Sequence, residues 1–367
     1  MNMRPLVIIT RELPPQICGI GTYSWLLHQQ WPRELVPAQF LVTGGAQESI
    51  KALDYSKIAD FNSKSAALWR ELDRIGPADI LLHYAGRAYH RFGCPGWLPS
   101  VLAKWKRKFP GGRLTILFHE LPGKFPITSR YYWIDLCNCR VVRRLARMAD
   151  VIVTNTEDHA AKIVKLSGRT DVHWFPVSSN IPLIGSITMP RARTEFVIFG
   201  LPFGRWQTLQ MFESQIRSWS ASGRLTKLHL IGPGDEKFDA HSDQLIQTWP
   251  DPGVVTRHGM LSPSDVSRLL ARVQFGFSNA TSENWSKSAV FMALAAHGCS
   301  VVSRVKSDAV PLCFTVAPDE VATISEVDLN ERARSLQVWH QENADWNVIA
   351  KKIAALLPSN MEREAAA

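Results

Sequence analysis

The chain has 367 residues, 46% of them hydrophobic and 20% charged, which is the composition of a soluble globular protein and more length than one ordinary core fills, so two domains are expected. Its formal net charge of +9 is uneven: residues 1–180 carry 24 Lys and Arg against 14 Asp and Glu, and residues 181–367 carry 18 against 19. The surplus points to an anionic partner for the first half (lipid, nucleic acid or a charged acceptor), while the lack of any run of about eighteen uncharged apolar residues excludes a membrane-spanning helix.

The opening MNMRPLVIIT has too short an apolar stretch for a signal peptide and reads as a first buried strand. Further short apolar runs follow at 40–43, 80–83, 114–119 and 151–154, with helical spacing between them, as at 65–75 and 140–149. Strands alternating with helices imply a parallel sheet built from crossover units. Residues 181–195, with two prolines, read as a linker. A second cycle then supplies strands at 196–200, 228–232, 275–278 and 300–303. Asp345 is placed to cap a last helix through Trp346, Ile349, Ile353 and Leu356, stopped by Pro358, and the tail from Ser359 is expected to be disordered. The six cysteines are scattered apart from Cys137 and Cys139, which fits reduced thiols in a cytoplasmic protein better than a disulfide framework or a metal site.

Five segments carry candidate chemistry. Cys18-Gly19-Ile20-Gly21-Thr22 follows the first strand, where glycines permit close approach of a ligand and the next helix aims its amides at a phosphate; a plain strand-to-helix turn has the same pattern. His119 closes the strand 114–119, at the edge where ligands of parallel sheets collect, and the alternative is a histidine satisfied by backbone. Arg205, after Gly200 and Gly204, offers a cation to a diphosphate, and Gly232 and Gly234 end the next strand in a second glycine turn. The stretch 278–303 reads as polar loop, helix, glycine stop and buried strand, with a single carboxylate, Glu283, at the mouth of the helix. In the fifth, 96–109, Val101, Leu102, Trp105 and Phe109 form one face and Lys104, Lys106, Arg107 and Lys108 crowd the other. Such a helix suits an anionic membrane surface or an ordinary core contact, and Arg140, Arg143, Arg144 and Arg147 make a second basic stripe.

In order and spacing these segments resemble two-domain glycosyltransferases of the GT-B fold, most of all the retaining family 4 group, over nearly the whole length. The resemblance implies an α/β architecture of two Rossmann-like domains facing each other across a cleft. The first, acceptor-side domain would span 1–180, joined by the helix 345–358, and the second, nucleotide-sugar domain 181–344. It implies that Gly19, Gly21, Gly232 and Gly234 approach the donor, that His119 and Glu283 orient the sugar, and that Arg205 stabilises the leaving diphosphate. Ser286 and Ser288 would present amides to the phosphates, and Tyr84, Arg87 and His90 would face the acceptor. It also implies a nucleotide-sugar cosubstrate of the UDP or GDP type, no metal, and a glycan or lipid-linked acceptor. The cysteines and the basic helices point to a cytoplasmic enzyme peripheral to the inner face of a plasma membrane, and the basic half carries no recognisable nucleic-acid module.

Two departures stand out. Family members carry a second Glu eight positions after the first, for the ribose hydroxyls; here that place holds Phe291, whose ring accepts no hydroxyl hydrogen bonds. Leu201 stands where the family has an arginine, and Lys287 is the candidate replacement cation. A GT-B-like partner subunit that has lost its donor is the competing expectation.

Overall fold

The computed structural model describes residues 4–32, 38–123, 125–185 and 191–356. It divides into two compact units: residues up to Pro176 together with those from Trp346 onward, and Val177–Asp345. Residues 186–190 of the expected linker, Pro358 and the tail from Ser359 lie outside the described residues.

The first unit is built on seven parallel strands: β1 (Leu6–Thr10), β2 (Gln39–Val42), β3 (Ile58–Asp60), β4 (Asp79–Tyr84), β5 (Arg113–Phe118), β6 (Val151–Thr154) and β7 (Val172–Trp174). Their order in the sheet is β3-β2-β1-β4-β5-β6-β7, so it reverses between β1 and β4. The central strands read as continuous apolar runs because helices cover both faces. All of β1 and β4 is buried, against Leu68 and Leu72 of the helix Ser65–Ile75, Trp105 of the helix Leu98–Lys108, and Val142 and Leu145 of the helix Arg130–Met148. The helix Trp346–Ala355 belongs to this unit and meets the helix Gly19–Gln29, with the Trp346 and Tyr23 rings edge to face at 4.8 Å.

The second unit has five parallel strands: β8 (Ala192–Phe199), β9 (Lys227–Ile231), β10 (Val255–Gly259), β11 (Val273–Phe277) and β12 (Ser300–Val302), ordered β10-β9-β8-β11-β12. The reversal here falls between β8 and β11. Phe196 and Phe275 stack at 4.7 Å, and Phe212, Trp219 and Phe277 extend the aromatic core. On the other face lies the helix Ala289–Ala296, buried from Phe291 onward. A Cβ on Gly276 would lie 2.1 Å from Leu294 Cδ2, so only glycine lets this helix sit so close to β11.

The fold is thus α/β, with two Rossmann-like sheets of the GT-B class. β3, β7 and β10 were not expected as strands. They are short edge strands, and edges carry polar residues such as Asp60, His173 and Arg257 that hide an apolar run. The helix expected at 140–149 begins ten residues earlier, at Arg130, capped by Ser129. Among the described residues no helix is long and apolar enough to cross a membrane.

Candidate active site

In the first unit, β4 and β5 run in register, with Tyr84 opposite Phe118, and the His119 amide continues the ladder to Tyr84 O at 2.9 Å. This brings His83 Nδ1 to 3.0 Å from His119 Nε2, with the rings nearly parallel. Tyr23 stands edge-on to both rings, 5.8 Å from His83 and 4.9 Å from His119, and the Asn155 side chain lies beside Tyr23 and His119. Burial, then the neighbouring His119, holds His83 well below its ordinary value, and burial pulls His119 to about 3. Burial pushes the Tyr23 phenol up. All three groups are neutral near pH 7, so the pair offers a hydrogen bond rather than a strong base. His83, missed by sequence reasoning, has no partner for its buried Nε2 among the described residues. Its signal was its position one strand over from His119.

The glycine loop divides into two functions. Cys18 Sγ caps the helix Gly19–Gln29 by accepting from Gly21 N at 3.4 Å, and a Cβ on Gly21 would meet Glu12 O at 1.8 Å. Gly21 therefore serves packing. Gly19 faces open space at the same helix end and is free to meet a ligand.

In the second unit, the turns after β8 and β9 close on each other. Gly232, at φ +141°, would place a Cβ 2.1 Å from Gly200 O and 2.3 Å from Arg205 Nη1. Arg205 is buried, donating to Gly200 O and Pro233 O at 2.8 Å each and lying 3.4 Å from Asp239. The expectation that Arg205 holds the diphosphate is corrected: its guanidinium braces the two turns. Gly234 lies in the same brace, beside Asp239, whose carboxylate accepts from Asp235 N at 2.8 Å.

A cavity of about 380 Å³ opens at the reversal point between β8 and β11. Lys287 and Ser288 line it, together with Gln207 and Met211 from the helix Pro202–Ala221 and Asn279 and Asn284 from the loop after β11. The loop is held by Thr281 N donating to Asn284 Oδ1 at 2.8 Å and by Ser288 Oγ capping Phe291 N at 3.2 Å. Ser286 is buried, and Glu283 is exposed on the loop without lining the cavity. Gln207, Asn279 and Asn284 were not singled out in the sequence; the spacing of Gln207 and Met211 by four residues was the available signal. Phe291 is 1% exposed and packs edge-to-face with Trp285 at 5.9 Å, inside the core.

Of the other expected contacts, Tyr84 and Trp105 differ. Tyr84 is a core residue, fully buried and donating to Asn138 Oδ1 at 2.7 Å, so it faces no acceptor. Arg87 is exposed on the rim of a cavity beyond β4, and His90 Nδ1 accepts from Cys94 N at 3.4 Å. Trp105 is fully buried against the sheet and is no membrane contact. Of its neighbours, Lys106 pairs with Asp150 at 2.7 Å, Lys108 pairs with Asp73, and Lys104 lies 3.7 Å over the Trp69 ring, leaving Arg107. The second basic stripe serves a helix end: Arg143 and Arg147 donate to Leu166 O and Ser167 O, the last carbonyls of the helix Glu157–Ser167. Among the described residues no three His, Cys, Asp or Glu side chains converge as a metal ion would require.

No protein-family model matches the chain, and no curated protein matches it. Its fold does match solved structures along their whole length. Sucrose-phosphate synthase from Thermosynechococcus elongatus is similar with a TM-score of 0.70 and 13% identity, over 99% of this chain and 100% of that one. Anabaena HepE, solved in complex with UDP, is similar with a TM-score of 0.67 and 14% identity, over 96% and 99%. The N-terminal domain of Candida albicans trehalose-6-phosphate phosphatase is similar with a TM-score of 0.68 and 14% identity, over 97% of both chains.

Proposed function

We propose that the chain is a glycosyltransferase that moves a sugar, with retention, from a UDP- or GDP-type nucleotide-sugar onto an acceptor bound by the first unit. The observation that carries this reading is the cavity at the β8/β11 reversal point, lined by a lysine that has no ion pair among the described residues, where doubly wound sheets bind their ligands. The UDP bound by HepE, a protein of the same fold, supports it. In this reading Lys287 neutralises the leaving diphosphate, and Gln207, Asn279 and Asn284 supply hydroxyl and base partners that the core residue Phe291 does not. In the second unit Glu283 orients sugar hydroxyls, and in the first the neutral His83–His119 pair offers a hydrogen bond to a hydroxyl. Within the second unit the leaving-group charge is met by Lys287, so the reading assigns no resident metal. The product is a glycan or glycolipid.

Incubation with a panel of UDP- and GDP-sugars and candidate acceptors tests this. Release of nucleoside diphosphate, with an anomeric configuration matching the donor by NMR, is expected; no release from any donor speaks against it.

A second reading, a GT-B-like scaffold without donor chemistry, draws on two observations. Phe291 is buried where a ribose carboxylate is expected, and the fold also occurs as the N-terminal domain of a protein named for a phosphatase. Nucleotide binding separates the two readings.

A further inference from the structure

The first unit holds a larger cavity, of about 700 Å³, beyond the ends of β4 and β5. Three exposed guanidinium groups meet on its walls: Arg87 and Arg91 after β4, and Arg130 at the start of the helix Arg130–Met148. Among the described residues none of the three is in an ion pair, although Glu120 and Asp135 line the same cavity. Two of them rest on rings instead. Arg91 lies 4.4 Å from the centroid of Phe92, and Arg130 lies 5.0 Å from that of Tyr131, whose hydroxyl it also meets at 3.1 Å. Arg130 first, and Arg87 more weakly, hold the Tyr131 phenol below its ordinary value, so both cations act on one point.

The rings are themselves uncovered. Phe92 is 51% exposed and Phe125 45%, and Tyr131 is exposed beside them. Close by in the chain, Ile127 and Trp133 are exposed as well, the latter 59%. Unpaired cations beside exposed rings are complementary to one kind of guest: an anionic head attached to an apolar body. Inside the cavity, Asp135 Oδ2 is buried without a hydrogen-bond partner among the described residues, which asks for a donor such as a hydroxyl.

We infer that this cavity binds a phosphorylated amphiphile, with the phosphate on Arg87, Arg91 and Arg130 and the apolar portion on Phe92, Phe125 and Tyr131. Resting on the transferase reading, this guest is the acceptor, and Asp135 accepts a hydrogen bond from its hydroxyl. The binding itself is independent of any turnover.

The test titrates the full chain with dodecyl phosphate below its micelle-forming concentration, read by calorimetry and by the fluorescence of nearby Trp133. Saturable one-to-one binding is expected, several-fold tighter than for decyl phosphate because two more methylenes are covered. Arg87→Gln together with Arg130→Gln should weaken it by about tenfold or more, and Phe125→Ser should weaken it as well. Arg74→Gln, an exposed arginine on another helix, should leave it unchanged. Inorganic phosphate binding as tightly as dodecyl phosphate would reduce the cavity to a plain anion site and overturn the inference. So would equal binding of neutral dodecyl maltoside, equal loss in Arg74→Gln, or binding to phosphatidylglycerol vesicles with none to monomeric dodecyl phosphate, which marks a membrane-docking face. A chain that turns over nucleotide-sugars and ignores dodecyl phosphate refutes this inference alone. A chain that binds dodecyl phosphate and no nucleotide refutes the transferase reading alone.

Discussion

His83 Nδ1 and His119 Nε2 lie 3.0 Å apart at the ends of the neighbouring strands β4 and β5. One ring must donate and the other accept, so the contact requires at least one of them to be neutral. The strand register alone creates the pair, since neither histidine is near the other in sequence.

The pair has a consequence for acid stability. Burial holds His119 at about 3 in the folded chain, whereas an unfolded histidine titrates near 6.5. Below about pH 6.5 the unfolded state therefore binds more protons than the folded one, and stability falls as pH falls until about pH 3. The slope is about 1.4 kcal/mol per pH unit for each such histidine. His119→Gln should lessen the loss of unfolding free energy between pH 7 and pH 5 by about 2 kcal/mol, measured by urea titration at both values. An unchanged loss in the variant would contradict the burial.

Arg205 should behave as a brace. Arg205→Ala leaves Gly200 O and Pro233 O without their donor and removes the nearer of two cations from Asp239, with Arg257 remaining at 3.9 Å. A cost of about 2–4 kcal/mol in unfolding free energy is expected. Lysine should recover little of it, because one ammonium does not span both carbonyls. If Arg205→Ala unfolds at the wild-type urea concentration, the bracing role fails.

Trp105 distinguishes a core helix from a membrane-facing one. Trp105→Ala should cost about 3–5 kcal/mol of stability and leave sedimentation with anionic vesicles unaltered. Full stability with lost vesicle binding would restore the interfacial reading that the sequence allows.

Phe291→Glu would reinstate the family-like carboxylate in sequence only. Its site is 1% exposed, against Trp285. An unpaired buried charge there should destabilise the second unit by several kcal/mol, rather than improve nucleotide binding. A stable variant with tighter UDP affinity would refute this.

Much of the fold was legible because parallel strands buried on both faces leave continuous apolar runs. β1 and β6 fall where the runs 6–10 and 151–154 lie, and the helices Ser65–Ile75 and Ala289–Ala296 follow their apolar spacing. Edge strands β3, β7 and β10 left no such trace. The candidate site was legible only as strand ends and glycine turns. Which glycine faces open space and which packs against Glu12 depends on where the backbone folds back, and spacing does not encode it. Arg205 looked like a phosphate ligand because a cation after glycines suits both a diphosphate and two carbonyls. Trp105 and Tyr84 look alike on a helix or strand whether they face water or core, and only packing decides.

As a transferase, the chain must receive a nucleoside diphosphate in the cavity carrying Lys287. Calorimetric titration of the wild-type chain and of Lys287→Ala with UDP, GDP and ADP tests it most directly. Saturable binding of one of these nucleotides is expected, weakened by about tenfold in Lys287→Ala, with no change in urea midpoint because the side chain is exposed. Absence of heat with every nucleotide, or equal affinity in the two proteins, would contradict it.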